Sequence, residues 1–283
     1  MLKTAVYMSG EYYLDQVKKS VTFIFDPVGR SLGTGFFVGI QLEHGGGDAV
    51  YFVTAKHVLS PSEIFPPPNY YDSLYIRLNL IGGTAERIGL PLSMEPILTH
   101  EDENIDLAAI PLYPPQDRYD YLYIPQNYFT DDNILKKKNI REGSNVFFAG
   151  LFSELAKNNT NYPVVRFGKI ALMTNEKIEI NKEGESTRRA HFYVVECQSL
   201  GGFSGSPVFF EFQRITPNQT FISPEIYLGG VMKGHYNDVL PVSNGMRKLN
   251  AALALVTPCY LLNELLHTKK AKEQREELSR KIL

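Results

Sequence analysis

Short runs of β-branched and aromatic residues recur along most of this chain, and residues that favour turns separate them. Such runs, bounded by Gly, Pro, Asn or Asp, are typical of the strands of an all-β fold. They form two sets on either side of a loop-rich stretch at about residues 114–143, with 21–25, 35–38, 49–53 and 74–78 before it and 146–149, 164–167, 191–195, 208–210 and 228–231 after it. The pattern therefore predicts two β subdomains of similar size joined by a long connection.

The C-terminus has a different pattern. Leu261, Leu262, Leu265 and Leu266 recur at helical spacing and indicate one apolar helix face. Beyond this helix, residues 267–283 are rich in Lys, Arg and Glu and predict a charged helical tail. We interpret the tail as a solvated helix end, with docking to a partner as the alternative.

The composition excludes several classes of protein. With 283 residues, 43% of them hydrophobic, the chain can bury a sizeable core without metal or disulfide support. Its net charge of −2 argues against capture of nucleic acid or of an anionic membrane by clustered basic charge. No apolar run approaches the length of a membrane span. The chain has no CxxC or HExxH motif, so we expect no metal and no other cofactor.

The cysteines and the N-terminus predict a cellular compartment. Cys197 and Cys259 are the only cysteines, and a single bridge is no framework for a secreted domain. The apolar stretch at the N-terminus is broken by Ser9, Gly10 and Glu11 before it reaches the length of a signal-peptide core. We therefore expect a cytoplasmic, reducing location.

Three short segments carry residue types that act together in nucleophilic catalysis. They are Thr-Ala-Lys-His-Val with His57, Asn-Ile-Asp-Leu-Ala with Asp106, and Gly-Gly-Phe-Ser-Gly-Ser-Pro with Ser204. A serine hydroxyl becomes a nucleophile when a histidine accepts its proton and a carboxylate fixes the histidine tautomer. Each segment alone is compatible with a structural role. Together and in this order, they predict a catalytic triad of His57, Asp106 and Ser204.

The order His, Asp, Ser along the chain differs from the order in α/β-hydrolases, which begins with Ser. The three segments resemble the Thr-Ala-Ala-His, Asp-Ile/Leu-Ala and Gly-Asp-Ser-Gly-Gly-Pro motifs of the trypsin-like (chymotrypsin-fold) serine peptidases, in particular of their bacterial cytosolic and stress-protease branches. Gly-Thr-Gly-Phe-Phe-Val at 33–38 is similar to a Gly-Ser-Gly-Phe strand of the bacterial members. The resemblance covers about residues 17–266 in layout, but only the three motifs are specific.

This resemblance implies a fold and a domain organisation. The expected fold is all-β, with two packed six-stranded antiparallel β-barrels and a C-terminal α-helix. The peptidase domain would comprise residues 1–266, with the first barrel at about 17–125 and the second at about 140–257. Residues 267–283 would follow as the charged helical tail.

The resemblance also implies roles for single residues. Ser204 would attack the scissile carbonyl, His57 would transfer the proton, and Asp106 would orient the imidazole ring. The backbone N–H groups of Gly202 and Ser204 would form the oxyanion hole. Phe203 stands where secreted trypsins have an Asp that pairs with a new amino terminus, so we do not expect activation by N-terminal cleavage.

The substrate pocket departs from the trypsin pattern. Alignment through the nucleophile places Gln198 where trypsins hold the Asp that selects Lys or Arg. Ser199 and the strand with Lys233, Gly234 and His235 would complete the pocket. Without a buried acid we expect no strict basic preference. His235 would favour an acidic or amide P1 residue, unless it is an ordinary surface or hydrogen-bonded histidine.

The leading functional hypothesis is a serine endopeptidase that acts through an acyl-enzyme and needs no cofactor. A cytosolic protease needs restraint, so we expect a latent form released by a trigger, as in bacterial stress or antiviral-defence proteases. The alternatives are a catalytically silent trypsin-fold binding or sensor module and an esterase on the same fold. Expected partners are protein or peptide substrates and a regulator acting on loops, on the tail or from a separate chain, but neither nucleic acid nor membrane.

Overall fold

The computed structural model of this chain describes residues 12–42, 47–62, 64–90, 92, 97–157, 159–180, 188–199, 201–213, 224–242 and 245–282. Residues 1–11, on which the expected location partly depends, lie outside these ranges. No helix in the described part of the chain is long and apolar enough to cross a membrane.

The first half of the chain forms one sheet of eight strands. These strands are β1 (Val21–Phe25), β2 (Ser31–Gln41), β3 (Asp48–Thr54), β4 (Leu74–Asn79), β5 (Ala85–Leu90), β6 (Leu98–Thr99), β7 (Ala108–Pro111) and β8 (Ile124–Pro125). Their order across the sheet is β5-β4-β1-β2-β3-β7-β6, and β8 pairs parallel with β2. Strands β1 and β3 are almost entirely buried, as their unbroken apolar runs predict.

The second half closes into a six-stranded barrel with the order β10-β13-β16-β15-β14-β9. Its strands, with the small separate hairpin β11–β12, are β9 (Asn145–Gly150), β10 (Val164–Met173), β11 (Ile178–Ile180), β12 (Arg188–Ala190), β13 (Tyr193–Glu196), β14 (Pro207–Gln213), β15 (Pro224–Val242) and β16 (Gly245–Pro258). Every neighbouring pair in this barrel is antiparallel.

The predicted all-β fold class is confirmed, but the first half differs in detail from a six-stranded barrel. Its sheet has eight strands, and the described pairing runs as an open path from β5 to β6. Strands β6 and β8 have two residues each, too few to give an apolar run in the sequence. The exposed and half-exposed residues of β5 likewise interrupt its apolar pattern.

Four helices complete the part of the fold that the structure describes: α1 (Tyr13–Lys19), α2 (Asp132–Lys138), α3 (Cys259–Leu266) and α4 (Lys269–Ile282). Short 3₁₀ turns lie at Lys56–Leu59, Gln126–Tyr128 and Ser153–Lys157. The predicted leucine face of α3 is buried. Helix α4 is helical as predicted but is not entirely solvated, because the buried Arg275 donates hydrogen bonds to the Leu266 carbonyl (2.6 Å) and the Tyr51 hydroxyl (3.3 Å).

One hydrophobic cluster crosses the boundary between the two halves. It joins side chains of the sheet, such as Val38 and Tyr51, to Phe147 and Phe209 of the barrel and to the leucines of α3. Phe147 and Phe209 stack with ring centroids 5.0 Å apart, and Tyr13 of α1 meets Phe147 edge-on. The shared core holds the two halves against each other and so positions residues that face the junction.

Candidate active site

His57 lies where strand β3 gives way to the 3₁₀ turn at Lys56–Leu59. The neighbouring Ala55, Val58 and Leu59 are buried, so the turn is anchored in the apolar core of the sheet. The His57 side chain remains 33% exposed. The local sequence therefore fixes the backbone of this residue and leaves its ring open to solvent on one side.

Asp106 is completely buried immediately before β7, and both its carboxylate oxygens face His57. Oδ2 lies 2.7 Å from Nδ1 of the imidazole, and Oδ1 accepts the His57 backbone N–H at 3.0 Å. Burial on its own raises the pKa of Asp106, but the attraction of His57, their hydrogen bonds and the charge of Lys233 outweigh it and lower the pKa to about 2. An ionised Asp106 holds the hydrogen of the ring on Nδ1 and leaves Nε2 as the proton acceptor.

Ser204 lies on a tight turn that precedes β14. Gly202 and Gly205 have φ angles of +99° and +86°, a region that L side chains rarely adopt. At Gly205 a Cβ would also lie only 2.0 Å from the Thr34 carbonyl oxygen. The turn is tied to both halves of the molecule, because the Ser204 carbonyl accepts the Thr34 N–H (2.9 Å) and the Gly205 N–H donates to the Met232 carbonyl (2.7 Å).

The structure brings the three predicted triad segments to the junction of the two halves. The hydrogen bond of Ser204 Oγ, however, goes to the Lys233 carbonyl at 3.0 Å. Within the described residues no hydrogen bond joins this hydroxyl to His57. The His57 ring and the Asp106 carboxylate are therefore hydrogen-bonded to each other, whereas the serine hydroxyl is turned toward strand β15.

The turn with Ser204 presents two backbone N–H donors, one of Gly202 and one of the serine itself. Among the described residues, the N–H groups of Gly202 and Ser204 make no backbone hydrogen bond. The Gly202 carbonyl is held instead by the Thr34 hydroxyl at 2.7 Å, and the Ser153 hydroxyl donates to the Gly201 carbonyl at 3.3 Å. Because side-chain hydroxyls hold these two carbonyls, the backbone N–H groups of Gly202 and Ser204 are available to donate to a ligand oxygen.

Phe203, between these two donors, is fully buried in the barrel core. Its ring meets Phe148 edge-on with centroids 5.2 Å apart, and the Arg166 guanidinium lies 6.0 Å from its centroid. The sequence excluded an ion pair at this position but did not identify what replaces it. Apolar packing of the Phe203 ring therefore holds the turn with Ser204, at the position where secreted trypsins have an ion-pairing Asp.

The predicted pocket residues lie in different environments. Lys233 and Gly234 run beside the serine, and a Cβ on Gly234 would lie 3.8 Å from Ser204 Oγ. His235 follows them half-buried, and burial lowers its pKa. Ser199 is buried, and its hydroxyl has no hydrogen-bond partner among the described residues. Gln198 is exposed, and its side-chain oxygen accepts a hydrogen bond from Arg166 at 3.4 Å.

The sequence did not single out the aromatic residues beside the site. The Lys233 ammonium lies 4.7 Å from the ring centroids of both Phe65 and Phe192. The Lys56 ammonium also lies near Phe65, 5.0 Å from the centroid of its ring. Burial and the charge of Asp106 raise the pKa of Tyr70. The segment with Phe65 and Tyr70 therefore borders the site, and the run of three prolines at 66–68 within it does not indicate that position.

No cluster of three or more His, Cys, Asp or Glu side chains within the described ranges is placed to hold a metal ion. The acidic stretch before Asp106 makes ion pairs instead. Asp102 pairs with Lys177 at 2.9 Å, and His100 lies 3.4 Å from the Glu264 carboxylate. Both contacts connect the first half of the chain to the second.

No protein-family model matches this chain, and no curated protein matches it. Among solved structures it is similar to the active form of the Rv3671c protease from M. tuberculosis, with 16% identity and a TM-score of 0.46 over 89% of this chain and 82% of that chain. A human pathogenic astrovirus serine protease gives 14% identity and a TM-score of 0.40 over 85% and 90% of the two chains. A structure described as HBP gives 12% identity and a TM-score of 0.46 over 88% and 89%.

Proposed function

We propose that this protein is a serine endopeptidase whose nucleophile is Ser204. The observation that carries the proposal is the buried, ionised Asp106, which directs both its oxygens to His57 beside a glycine-rich turn. A buried carboxylate that holds one histidine in one tautomer is what a general base requires. A purely structural histidine does not need this arrangement.

The reaction follows from these positions. Ser204 Oγ attacks the scissile carbonyl carbon while His57 Nε2 accepts the hydroxyl proton, and the N–H groups of Gly202 and Ser204 hold the oxyanion. The tetrahedral intermediate collapses as His57 gives that proton to the leaving amine, which leaves an acyl ester on Ser204. A water molecule then attacks the ester with His57 again as base, and the carboxylic acid product departs with Ser204 restored.

We also propose a resting form in which the serine is disengaged. The hydrogen bond from Ser204 Oγ to the Lys233 carbonyl supports this, because the hydroxyl must leave that oxygen before it gives its proton to His57. Rotation of one side chain converts the resting form into the catalytic one. A partner or ligand that favours the rotated form would act as the trigger that a cytoplasmic protease of bacterial stress or defence systems requires.

The same hydrogen bond supports a second candidate function, a silent binding or sensor module on this fold. In such a module Ser204 would never engage His57.

The compartment we propose is reducing, and the two buried cysteines, both free, support it. Substrates would be protein or peptide segments that reach the half-exposed ring of His57.

Peptide-bond cleavage by the purified chain tests this proposal. We expect wild-type protein to digest an unfolded protein substrate, slowly when purified and faster in crude lysate, with new amino termini found by mass spectrometry, and Ser204→Ala to leave it intact in both. Ser144→Ala, which alters a hydroxyl in a surface turn, is the matched control and should cleave as the wild type does. Cleavage of small esters without cleavage of any peptide would favour an esterase instead.

A further inference from the structure

A cavity of about 700 Å³ lies apart from the triad, between the first sheet and the segment that follows β9. Its walls come from the turn after β1, from β4 and β5, and from the 3₁₀ turn at Ser153–Lys157. Its described lining includes three arginines, Arg30, Arg77 and Arg87, and no Asp or Glu. None of His57, Asp106 and Ser204 belongs to this cavity.

Arg77 is the fixed charge of the cavity. Arg77 is buried, with only 7% of its surface exposed. The Nε donates to the Asn161 side-chain oxygen at 2.7 Å and the Nη1 to the Ala156 carbonyl at 2.8 Å, so these hydrogen bonds go to neutral oxygens. The guanidinium also lies 5.0 Å from the Phe25 ring centroid. A cation held this firmly in a buried place is a preorganised anion ligand.

Arg87, on the adjacent strand β5, brings a second charge to the same place. Its guanidinium lies 4.6 Å from the Phe25 ring centroid and so close to Gly29 that a Cβ there would be 2.9 Å from Nη1. Within the described part of the chain no carboxylate pairs with it. Burial and the charge of Arg87 lower the pKa of Arg77.

Arg30 adds a third cation at the rim. Its Nε pairs with the buried Asp26 at 2.6 Å, and that pairing leaves the two terminal nitrogens of the guanidinium available. Asp26 touches Arg30, whereas none of the described contacts joins a carboxylate to Arg87. The positive charge that Arg30 and Arg87 bring to the cavity is therefore only partly balanced by the described residues.

We propose that this cavity binds a phosphate-bearing small molecule up to about the size of a mononucleotide. Guanidinium groups match phosphate oxygens in geometry and charge, and two or three of them around one site favour a multiply charged anion. Ser31, Thr84 and Ser153 also line the cavity, and a hydroxyl can donate to a phosphate oxygen. The volume lies within the usual range of roughly 300–1,000 Å³ for small-molecule sites.

The cavity borders the nucleophile turn. Ser153, which lines it, donates its hydroxyl to the Gly201 carbonyl, next to the proposed oxyanion donor Gly202. A phosphate that draws the Ser153 hydroxyl to itself would compete with this hydrogen bond. The binding proposal does not depend on the proposed peptidase activity, because none of the cavity residues takes part in it.

Calorimetric titration of the full chain with inorganic pyrophosphate at constant ionic strength tests the site. We expect one pyrophosphate per chain, and affinity reduced by about 10- to 100-fold in Arg87→Gln and in Arg30→Gln, since each removes a charge-assisted hydrogen bond. Arg118→Gln, an exposed arginine that pairs with Glu86 outside the cavity, is the matched control and should bind as the wild type does. The Ser204→Ala background keeps the result independent of any protease activity.

Two results would overturn the proposal. One is that the wild type does not bind pyrophosphate at concentrations up to about 1 mM. This result overturns the proposal even if a single-stranded oligonucleotide binds instead. The other is equal affinity in Arg87→Gln and Arg118→Gln, which would indicate diffuse surface attraction. Thermal unfolding of each variant verifies its fold, and Arg30→Gln at the exposed rim serves if Arg87→Gln fails to fold.

Discussion

At the scale of single residues, the pair formed by Asp106 and His57 is the most constrained part of the site. Two oxygens of one buried carboxylate meet the ring Nδ1 and the backbone N–H of the same histidine. An amide in place of this carboxylate presents a donor to one of those two N–H groups. The histidine then loses either its orientation or its active tautomer.

Asp106→Asn should therefore reduce the rate of peptide cleavage, or of Ser204 acylation, by about 10³- to 10⁴-fold with the fold retained. The matched control is Asp102→Asn. It removes a carboxylate that lies four residues before Asp106 and pairs with the half-exposed Lys177. It should keep the wild-type rate. Equal rates in Asp106→Asn and the wild type would remove Asp106 from the mechanism.

The pKa of Asp106 also predicts how stability depends on pH. The pKa is lowered from 3.8 to about 2 on folding, so the ionised form stabilises the native state above pH 4, and this stabilisation is lost as the pH falls toward 2. Urea unfolding from pH 6 to pH 2 should show the wild type losing about 2 kcal/mol more than Asp106→Asn. Parallel stability curves for the two proteins would contradict the assignment.

Phe203 belongs to the same scale, because one side chain anchors the nucleophile turn in the barrel core. Phe203→Ala should lower the free energy of unfolding by about 3–5 kcal/mol and slow acylation of Ser204. Phe167→Ala, an exposed phenylalanine of the same barrel, should change stability by no more than about 0.5 kcal/mol. A stable, fully active Phe203→Ala would show that the turn holds itself without this anchor.

At the scale of elements, the strands were predictable where apolar runs are long and unbroken. The run at 21–25 coincides with β1 (Val21–Phe25), and 49–53 lies within β3. Helix α1 was missed because it has seven residues, four of them buried, and such a short segment carries no clear helical period. Helix α2 was missed although Asp131 caps its first turn by accepting the Ile134 N–H, because none of its residues is buried.

The candidate site was predictable only in part, for a physical reason. His57, Asp106 and Ser204 stand out because motif residues are adjacent in the sequence to the strands and glycines that position them. Phe65, Phe192 and the arginines of the cavity come together only through packing of segments that are distant in the sequence. No local pattern marks such residues before the topology is known.

At the scale of the whole molecule, the C-terminal helices fasten one half to the other. Arg275 of α4 donates to the carbonyl of Leu266, the last residue of α3, and to the Tyr51 hydroxyl on β3. Arg275→Ala should lower the free energy of unfolding by about 1.5–3 kcal/mol in chemical denaturation, because it removes a buried charged donor. Lys272→Ala, at an exposed position of the same helix, should have little effect. Equal stability of both variants would mean that α4 adds nothing to the fold.

The proposed triad depends on the whole molecule, since His57 and Asp106 come from the first half and Ser204 from the second. The turn with Ser204 is hydrogen-bonded to Thr34 on one side and Met232 on the other, so docking of the halves sets the distance between Ser204 and His57. Rotation of the Ser204 hydroxyl away from the Lys233 carbonyl would complete the proposed catalytic arrangement.

Fluorophosphonate labelling with an intact-mass readout tests the central claim most directly, because the probe reacts only with an activated serine. We expect a single adduct on wild-type protein and on Ser144→Ala, none on Ser204→Ala, and faster labelling in crude lysate, which can supply a trigger, than after purification. An adduct that persists in Ser204→Ala, or no labelling of the wild type either purified or in lysate, would contradict it.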